Sequence, residues 1–210
     1  IPRNVYNHFL IKFKGLQKRW NSLWGRIGVS GNGDDTYNEL ISLYGQKTRF
    51  YHNFVHIAHG LRELDDAKDI ENKDEVEIAF WYHDGKASEK ESAELVKEKM
   101  SQHGVDSSRI NNIANLILAT KHQTIPSKLD EKYIVDIDLS ILGKSQKEFD
   151  DYERDIKDEY FWVSEQQFRL GRSAILQRFL ERDFIYSTDL FKQKYEEQAR
   201  NNLKRSLNQL

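Results

Sequence analysis

The chain has 210 residues, a formal net charge of −2, two prolines and no cysteine. The near-neutral charge gives no basic field for general nucleic-acid binding, and the lack of cysteine excludes disulfides and thiolate metal ligands. No apolar run is long enough to cross a membrane and no signal-peptide pattern opens the chain. We therefore expect a cytoplasmic protein that does not bind membranes.

Apolar residues recur at helical spacing, which predicts an all-α fold. We expect a single domain over residues 1–210, with a core at about residues 40–145 and C-terminal helices of residues 146–210 packed on it. In chain order, the predicted helices cover approximately residues 4–24, 36–45, 52–67, 74–84, 87–102, 106–121, 146–160, 165–182 and 188–208. The sequence does not define an oligomeric state.

Two segments carry more specific local signals. Thr36, with Glu39 three residues later, has the pattern of a capping box and predicts a helix that begins there and ends near Gly45. The segment from Asp136 to Gly143 is short and apolar, with two carboxylates. One interpretation is a buried strand, but a helical turn that ends at Gly143 fits an all-helical chain better.

The run from Ala79 to Asp84 is the most unusual stretch of the sequence. A helix that is apolar on every side is buried on every side, yet this one ends in His83 next to Asp84. A buried carboxylate costs several kcal/mol unless it is paired or binds a metal. A structural histidine followed by an N-cap aspartate is the ordinary alternative, so the dipeptide needs support from other residues.

Further histidines and carboxylates provide that support. His52, His56 and His59 lie on the helix face opposite its apolar residues, a face that either is solvated or borders a polar interior site. The polar residues in apolar settings are His52, His56, His83, Asp84, His122, Asp136 and Asp138. Without cysteine, imidazole and carboxylate are the available metal ligands, and they suit Mn, Fe, Zn, Ni or Mg.

The order of these residues resembles a known family. His56, His83-Asp84 and Asp138 resemble the H…HD…D signature of the HD-domain metal-dependent phosphohydrolase superfamily. Tyr51-His52-Asn53 before His56, and Asp138-Leu139-Ser140, are similar to segments of cyclic-nucleotide phosphodiesterases. Further segments resemble a bacterial branch of predicted HD phosphohydrolases, so that the resemblance covers roughly residues 40–205. These further segments are Arg49–His56, the Trp-Tyr-His-Asp run, Asp136–Gly143, Gly171-Arg172, Ile185-Tyr186 and Ala199–Leu203.

The resemblance implies a helical bundle of the HD-domain type with a divalent ion, which would be Mn, Fe, Ni, Co, Zn or Mg. It implies the metal ligands His56, His83, Asp84 and Asp138. It further implies hydrolysis of a phosphomonoester or phosphodiester of a small, nucleotide-like molecule by hydroxide, formed when the ion lowers the pKa of its water from about 15.7 toward about 7. His52 and Asp84 are the implied catalytic residues, and His52 would protonate the leaving oxygen.

Five residues are candidates for substrate binding. Arg49, Lys86 and Lys121 can neutralise developing charge, although a solvated surface role explains each equally well. His122 either binds phosphate or a second metal, or is a simple helix-end histidine. Glu89 stands at the expected rim of the pocket, but the segment from Gly85 to Glu89 is shorter than in related proteins. We expect the three other histidines, His8, His59 and His103, to be structural or exposed.

Two alternatives and one choice stay open. The shorter segment after Asp84 favours a non-catalytic metal- or nucleotide-binding sensor. A di-iron oxygenase would need two more histidine ligands, and although His103 and His122 lie in the required interval, His103 stands in a hydrophilic surface-turn setting. The Asp-Leu-Ser resemblance selects Asp138 as the ligand and leaves Asp136 to support the ligands or cap a helix.

Overall fold

The computed structural model describes residues 3–29, 31 and 33–210, and the side chains from residue 15 onward in the first helix. In this part of the chain every regular element is helical, which confirms the all-α prediction. The helices are α1 (Arg3–Arg26), α2 (Asp34–Tyr44), α3 (Phe54–Asp66), α4 (Lys73–Tyr82), α5 (Glu89–Gln102), α6 (Ser107–Ala119), α7 (Leu129–Asp138), a 3-10 helix (Leu139–Gly143), α8 (Gln146–Glu159), α9 (Glu165–Leu180) and α10 (Asp189–Leu207). None of the helices in the described ranges is both long and apolar enough to span a membrane.

The chain divides into two compact units. The first contains Ile1–Gly45 and Asn72–Leu118, and the second contains Gln46–Glu71 and Ala119–Leu210. That residues 1–210 act as one domain stays a prediction. The side chain of His8 lies outside the described residues, so its predicted role also stays a prediction.

Helix α4 is the core of the first unit. Val76 and every residue from Ile78 to Tyr82 are fully buried, as the apolar run predicted. Trp20 of α1 packs edge-on against Trp81 at a centroid distance of 5.5 Å, and the hydroxyl of Tyr44 donates to the Trp81 carbonyl at 3.0 Å. Aromatic packing on several sides therefore fixes the end of α4 and with it the residues that follow, His83 and Asp84.

A buried carboxylate ties three elements of the second unit together. Glu63 of α3 accepts hydrogen bonds from Lys144, which follows the 3-10 helix, and from Lys194 and Tyr195 of α10, at 2.6, 2.9 and 2.8 Å. Burial by itself raises the pKa of Glu63, but the hydrogen bonds from the two lysines and the tyrosine outweigh burial and lower the pKa to about 2.

One local prediction was wrong. The capping box at Thr36 is absent, because α2 begins two residues earlier, after Gly33 in a left-handed conformation with φ 73°, and the Thr36 hydroxyl donates to the Gly33 carbonyl. Only glycine suits this position, since a Cβ there would lie 2.8 Å from the Trp24 ring.

The favoured interpretation of residues 136–143 is confirmed. This segment ends α7 and forms the 3-10 helix that ends at Gly143, so the alternative interpretation as a buried strand is not observed.

We predict that Glu63→Gln lowers the free energy of unfolding at pH 7 by roughly 2–3 kcal/mol, because the two lysines lose their buried carboxylate partner. A carboxylate whose pKa is lowered by folding stabilises the native state above its unfolded-state pKa, and this stabilisation is lost as the pH falls through the folded-state value. The difference from wild type, measured by urea unfolding, should therefore be complete above about pH 5 and shrink to less than half by about pH 3.

The matched control is Glu197→Gln, on an exposed position of α10, which should stay within about 0.5 kcal/mol of wild type. Equal losses for the two variants, or a loss for Glu63→Gln that does not change between pH 7 and pH 3, would contradict the assignment.

Candidate metal centre

The environment of His83 fixes the hydrogen on its ring. The side chain is 1% exposed, stacks on Phe80 at a centroid distance of 4.6 Å, and donates from Nδ1 to the Phe80 carbonyl oxygen at 2.8 Å. A carbonyl oxygen can only accept, so Nδ1 carries the hydrogen of the neutral ring. The Nε2 atom therefore presents its lone pair, which is the state in which histidine binds a metal.

This lone pair faces a carboxylate. The Nε2 atom of His83 lies 2.9 Å from Oδ2 of Asp84, the next residue, whose side chain is 24% exposed. Two lone pairs at this distance repel each other unless a proton or a cation reduces the repulsion. The donor arrangement in the first unit therefore fits a bound cation.

The second unit contains a similar pair on α3 and α7. The side chain of His56 is 1% exposed, with Nδ1 at 3.1 Å from the Tyr51 hydroxyl and Nε2 at 3.2 Å from Oδ1 of Asp138. Asn53 caps α3 by accepting from the Val55 amide, so the Tyr-His-Asn segment begins the helix that carries His56. A local capping interaction thus sets the position of this histidine.

His122 holds the other oxygen of Asp138. Its Nε2 atom lies 2.8 Å from Asp138 Oδ2, and its backbone has a φ of 56°, which is unusual for a residue other than glycine. The guanidinium of Arg182 donates to the His122 carbonyl at 2.7 Å and supports this conformation. With Oδ2 held by His122, Oδ1 is the oxygen of Asp138 that remains to bind a metal.

His56, His83, Asp84 and Asp138 each contribute one nitrogen or oxygen atom, and these four atoms lie within 4.8 Å of one another. Two imidazoles and two carboxylates are ligands typical of Zn and of the Mn, Fe and Ni class of ions. This is also the ligand set that the resemblance to the HD superfamily implied. The side chains of this group can hold a metal ion.

His52 pairs with a carboxylate that the sequence did not predict. Its Nδ1 atom lies 2.5 Å from Oε2 of Glu159, the last residue of α8, while Oε1 accepts from the backbone amides of Tyr51 and His52 at 2.8 Å each. Burial raises the pKa of Glu159, but the bonds from the His52 ring and the two amides outweigh it and lower the pKa below its usual value. The His52 side chain is 33% exposed, and its ring centroid lies 6.0 Å from that of His56.

The two aspartates of α7 serve different structures. Asp136 is fully buried and accepts from the Ser187 amide and from the amide and hydroxyl of Thr188, at 2.7–2.8 Å, so that it supports the start of α10. Residues two apart on a helix point about 200° away from each other, which explains why Asp138 reaches the histidines and Asp136 does not.

All five candidate substrate-binding residues lie outside the four-ligand group. Arg49 donates to the His52 carbonyl at 2.9 Å, and Lys86 is exposed, with its backbone amide bonded to Ser92. Glu89 is the first residue of α5, and Lys121 is half-buried beside His122. His122 alone touches a proposed ligand, and substrate binding stays a prediction for all five.

The remaining described histidines have structural contacts. His59 bonds to the Ser140 hydroxyl at 2.9 Å, and burial is the main cause that lowers the pKa of His59 to about 4, so that the ring is neutral. His103 is exposed and packs edge-on against Trp24 at 4.9 Å. His103 is therefore placed as a surface histidine, and the position argues against its use as a ligand in a di-iron site.

Comparison of the chain with protein-family models, with curated proteins and with solved structures returned no match. The HD-superfamily resemblance therefore rests on the sequence motifs alone and stays a prediction.

We predict that Asp84→Ala and His83→Ala reduce the metal content of protein purified without chelator from about one ion per chain to near background, because each variant removes a ligand. Elemental analysis by mass spectrometry measures the content. His103→Ala, a surface histidine variant, should retain the metal. Full occupancy in Asp84→Ala would overturn the ligand assignment.

The two aspartates of α7 allow a second comparison. Asp138→Asn should lose the metal, whereas Asp136→Asn should keep it and lower the free energy of unfolding by roughly 1–3 kcal/mol, since an amide cannot accept from all three donors at the start of α10. Metal content and urea unfolding of both variants provide the measurement. The opposite pattern of metal loss would show that the two aspartates have been assigned in the wrong order.

Proposed function

We propose that the protein is a metal-dependent phosphohydrolase that cleaves a phosphomonoester or phosphodiester of a small, nucleotide-like molecule. The observation that carries this proposal is the convergence of one ligand atom from each of His56, His83, Asp84 and Asp138 within 4.8 Å. The order of these residues in the sequence is the order of the HD signature, which supports phosphoester hydrolysis over other uses of such a site.

The protein contributes a set of ligands held in fixed orientations. The Phe80 carbonyl, the Tyr51 hydroxyl and the His122 ring each contact the outer side of a ligand, which restrains its rotation. A divalent ion bound there would supply Lewis-acid chemistry, which makes water nucleophilic near neutral pH and polarises a phosphoryl oxygen. Because the ligands are ordered by folding, little further ordering is needed when substrate binds.

Asp84 is the best placed of the four ligands for a catalytic role in addition to metal binding. Its side chain is 24% exposed, compared with 15% for Asp138 and 1% for each of the two histidines. One carboxylate oxygen can serve as a ligand while the second accepts a proton from the attacking water, as a general base requires.

His52 and Glu159 form the proton donor in this proposal. The carboxylate of Glu159 beside Nδ1 stabilises the protonated imidazole, and the partly exposed ring can approach the leaving oxygen of a substrate. A phosphoester leaving group departs as an alkoxide unless it is protonated, and in this proposal His52 donates that proton. Glu159 orients His52 because it binds the His52 ring through one carboxylate oxygen and the backbone amides of Tyr51 and His52 through the other.

A sensor function is the second candidate. Only the segment from Gly85 to Ser88 separates Asp84 from α5, which begins at Glu89, so this side of the site has few residues with which to enclose a substrate. To decide between the candidates, wild-type protein is reconstituted in turn with Mn, Fe, Ni, Co, Zn and Mg and assayed on panels of phosphomonoesters and phosphodiesters. If no metal supports hydrolysis of phosphomonoesters or of phosphodiesters, the hydrolase proposal is rejected in favour of the sensor function.

We predict that His52→Ala retains metal but loses about 10²- to 10⁴-fold in turnover on an alkyl phosphate, because the leaving oxygen has no proton donor. The loss should be much smaller on an aryl phosphate, whose leaving oxygen is a stable anion. Glu159→Gln should show the same dependence on the leaving group with a smaller loss. His103→Ala is the control, and equal losses on the two substrates would argue against proton donation by His52.

A further inference from the structure

Three consecutive aromatic side chains are exposed on the connection between α8 and α9. Tyr160, Phe161 and Trp162, here called the aromatic turn, are 45%, 67% and 66% exposed. Rings that stay exposed contribute little to folding stability, because only their burial would be favourable. The exposure therefore suggests a function for the turn other than stabilising the fold.

The aromatic turn is held in a defined shape. The Tyr160 amide donates to the carbonyls at the end of α8, and the Val163 amide donates to the Tyr160 carbonyl at 2.9 Å, which closes the turn. The Trp162 ring lies 5.4 Å from Phe161 and 5.5 Å from Tyr160, measured between centroids. Ser164 then caps α9, so both ends of the turn are anchored and the rings form a preformed surface.

The aromatic turn begins next to the proposed proton donor. Tyr160 directly follows Glu159, whose carboxylate binds the ring and backbone of His52. Consecutive Cα atoms are about 3.8 Å apart, so the start of the turn lies close to the chemistry proposed above. A substrate that delivers its leaving oxygen to His52 can therefore extend toward these rings.

The size and charge of the turn favour a small aromatic group over a macromolecule. Aromatic side chains present roughly 150–250 Å² each, so the exposed parts amount to about 350 Å², less than half of the roughly 800 Å² per partner in a standard protein interface. On the flanks of the turn, Glu159 is paired with His52, and Glu165 is paired with Lys157 and Arg169 at 2.8 and 3.1 Å. The flanks therefore lack the excess of basic residues that draws exposed aromatics to an anionic membrane surface.

We propose that the aromatic turn is a stacking platform for the nucleobase of the substrate, an inference that rests on the proposed hydrolase function and specifies its substrate class. Every nucleobase has a π-face that stacks on Tyr, Phe or Trp without base-specific hydrogen bonds. Tyr160, Phe161 and Trp162 carry no charge that could bind phosphate, so the uncharged base lies on the turn while the phosphate lies at the metal ligands.

Trp162 provides a direct readout that does not require turnover. The other three tryptophans, Trp20, Trp24 and Trp81, are at most 1% exposed, so Trp162 is the tryptophan that ligands can reach. Titration of the full chain with adenosine, guanosine, cytidine and uridine monophosphates should quench its fluorescence saturably. Glycerol phosphate, which has a phosphate but no base, should not. The quenching should vanish in Trp162→Phe.

Variants of the turn separate stacking from other causes of quenching. Phe161→Ala and Tyr160→Ala keep the reporter and should weaken nucleotide binding by about 5- to 150-fold, which corresponds to the loss of a base–aromatic stack. The matched control is Phe184→Ala, which removes a 57% exposed aromatic from another segment and should leave the affinity unchanged. Circular dichroism of each variant checks that it is folded.

Several results would overturn the platform. These are quenching by glycerol phosphate equal to that by the nucleotides, no quenching by any nucleotide, a dimer lost in Trp162→Ala, or binding to anionic lipid vesicles lost in the same variant. The two proposals can fail separately. Metal-dependent hydrolysis without base-specific quenching would reject the stacking platform but not the hydrolase function. Base-specific quenching without hydrolysis under any metal would reject the hydrolase function but not nucleobase binding at the turn.

Discussion

The arrangement that the candidate site depends on is a histidine lone pair held against a carboxylate at the end of a buried aromatic helix. Phe80 fixes the hydrogen of His83 on Nδ1, so Nε2 faces Asp84 with no hydrogen of its own when the ring is neutral. Water reaches the Asp84 carboxylate, whose side chain is 24% exposed, but not the His83 ring, which is 1% exposed. The sequence places a strongly apolar helix directly before two polar groups, and a proton or a cation between them would relieve the repulsion.

Much of this arrangement can be predicted from the sequence, because it follows from local rules. An apolar run on every side of α4 means burial on every side, and that is observed for its last turns. Helix geometry predicts that Asp136 and Asp138 have different roles once both lie on α7, since residues two apart cannot point to the same site, but the choice of Asp138 came from the Asp-Leu-Ser resemblance. Burial patterns selected seven candidate imidazoles and carboxylates, because such groups are rare in apolar surroundings, and the resemblance to the HD signature reduced them to four.

The features that the sequence did not predict depend on contacts between distant residues. Glu159 lies 107 residues from His52 and ends an ordinary amphipathic helix, so no spacing pattern marks it as a partner. The beginning of α2 was misplaced for a similar reason. A Cβ at Gly33 would meet the Trp24 ring, and α2 begins directly after this left-handed glycine, two residues before the position that the capping pattern at Thr36 predicted.

In the proposed enzyme, the C-terminal end of α8 would connect proton transfer with substrate recognition. Glu159 is its last residue and fixes His52, and the next three residues form the exposed aromatic turn. A group that stacks on the turn would therefore bind to the same rigid segment that orients the proton donor. In an enzyme of this design, contacts with a remote part of the substrate would improve the alignment of the leaving oxygen as well as the affinity. Removing the base from the substrate should then lower turnover in addition to binding, an effect that a platform separate from the catalytic residues would not produce.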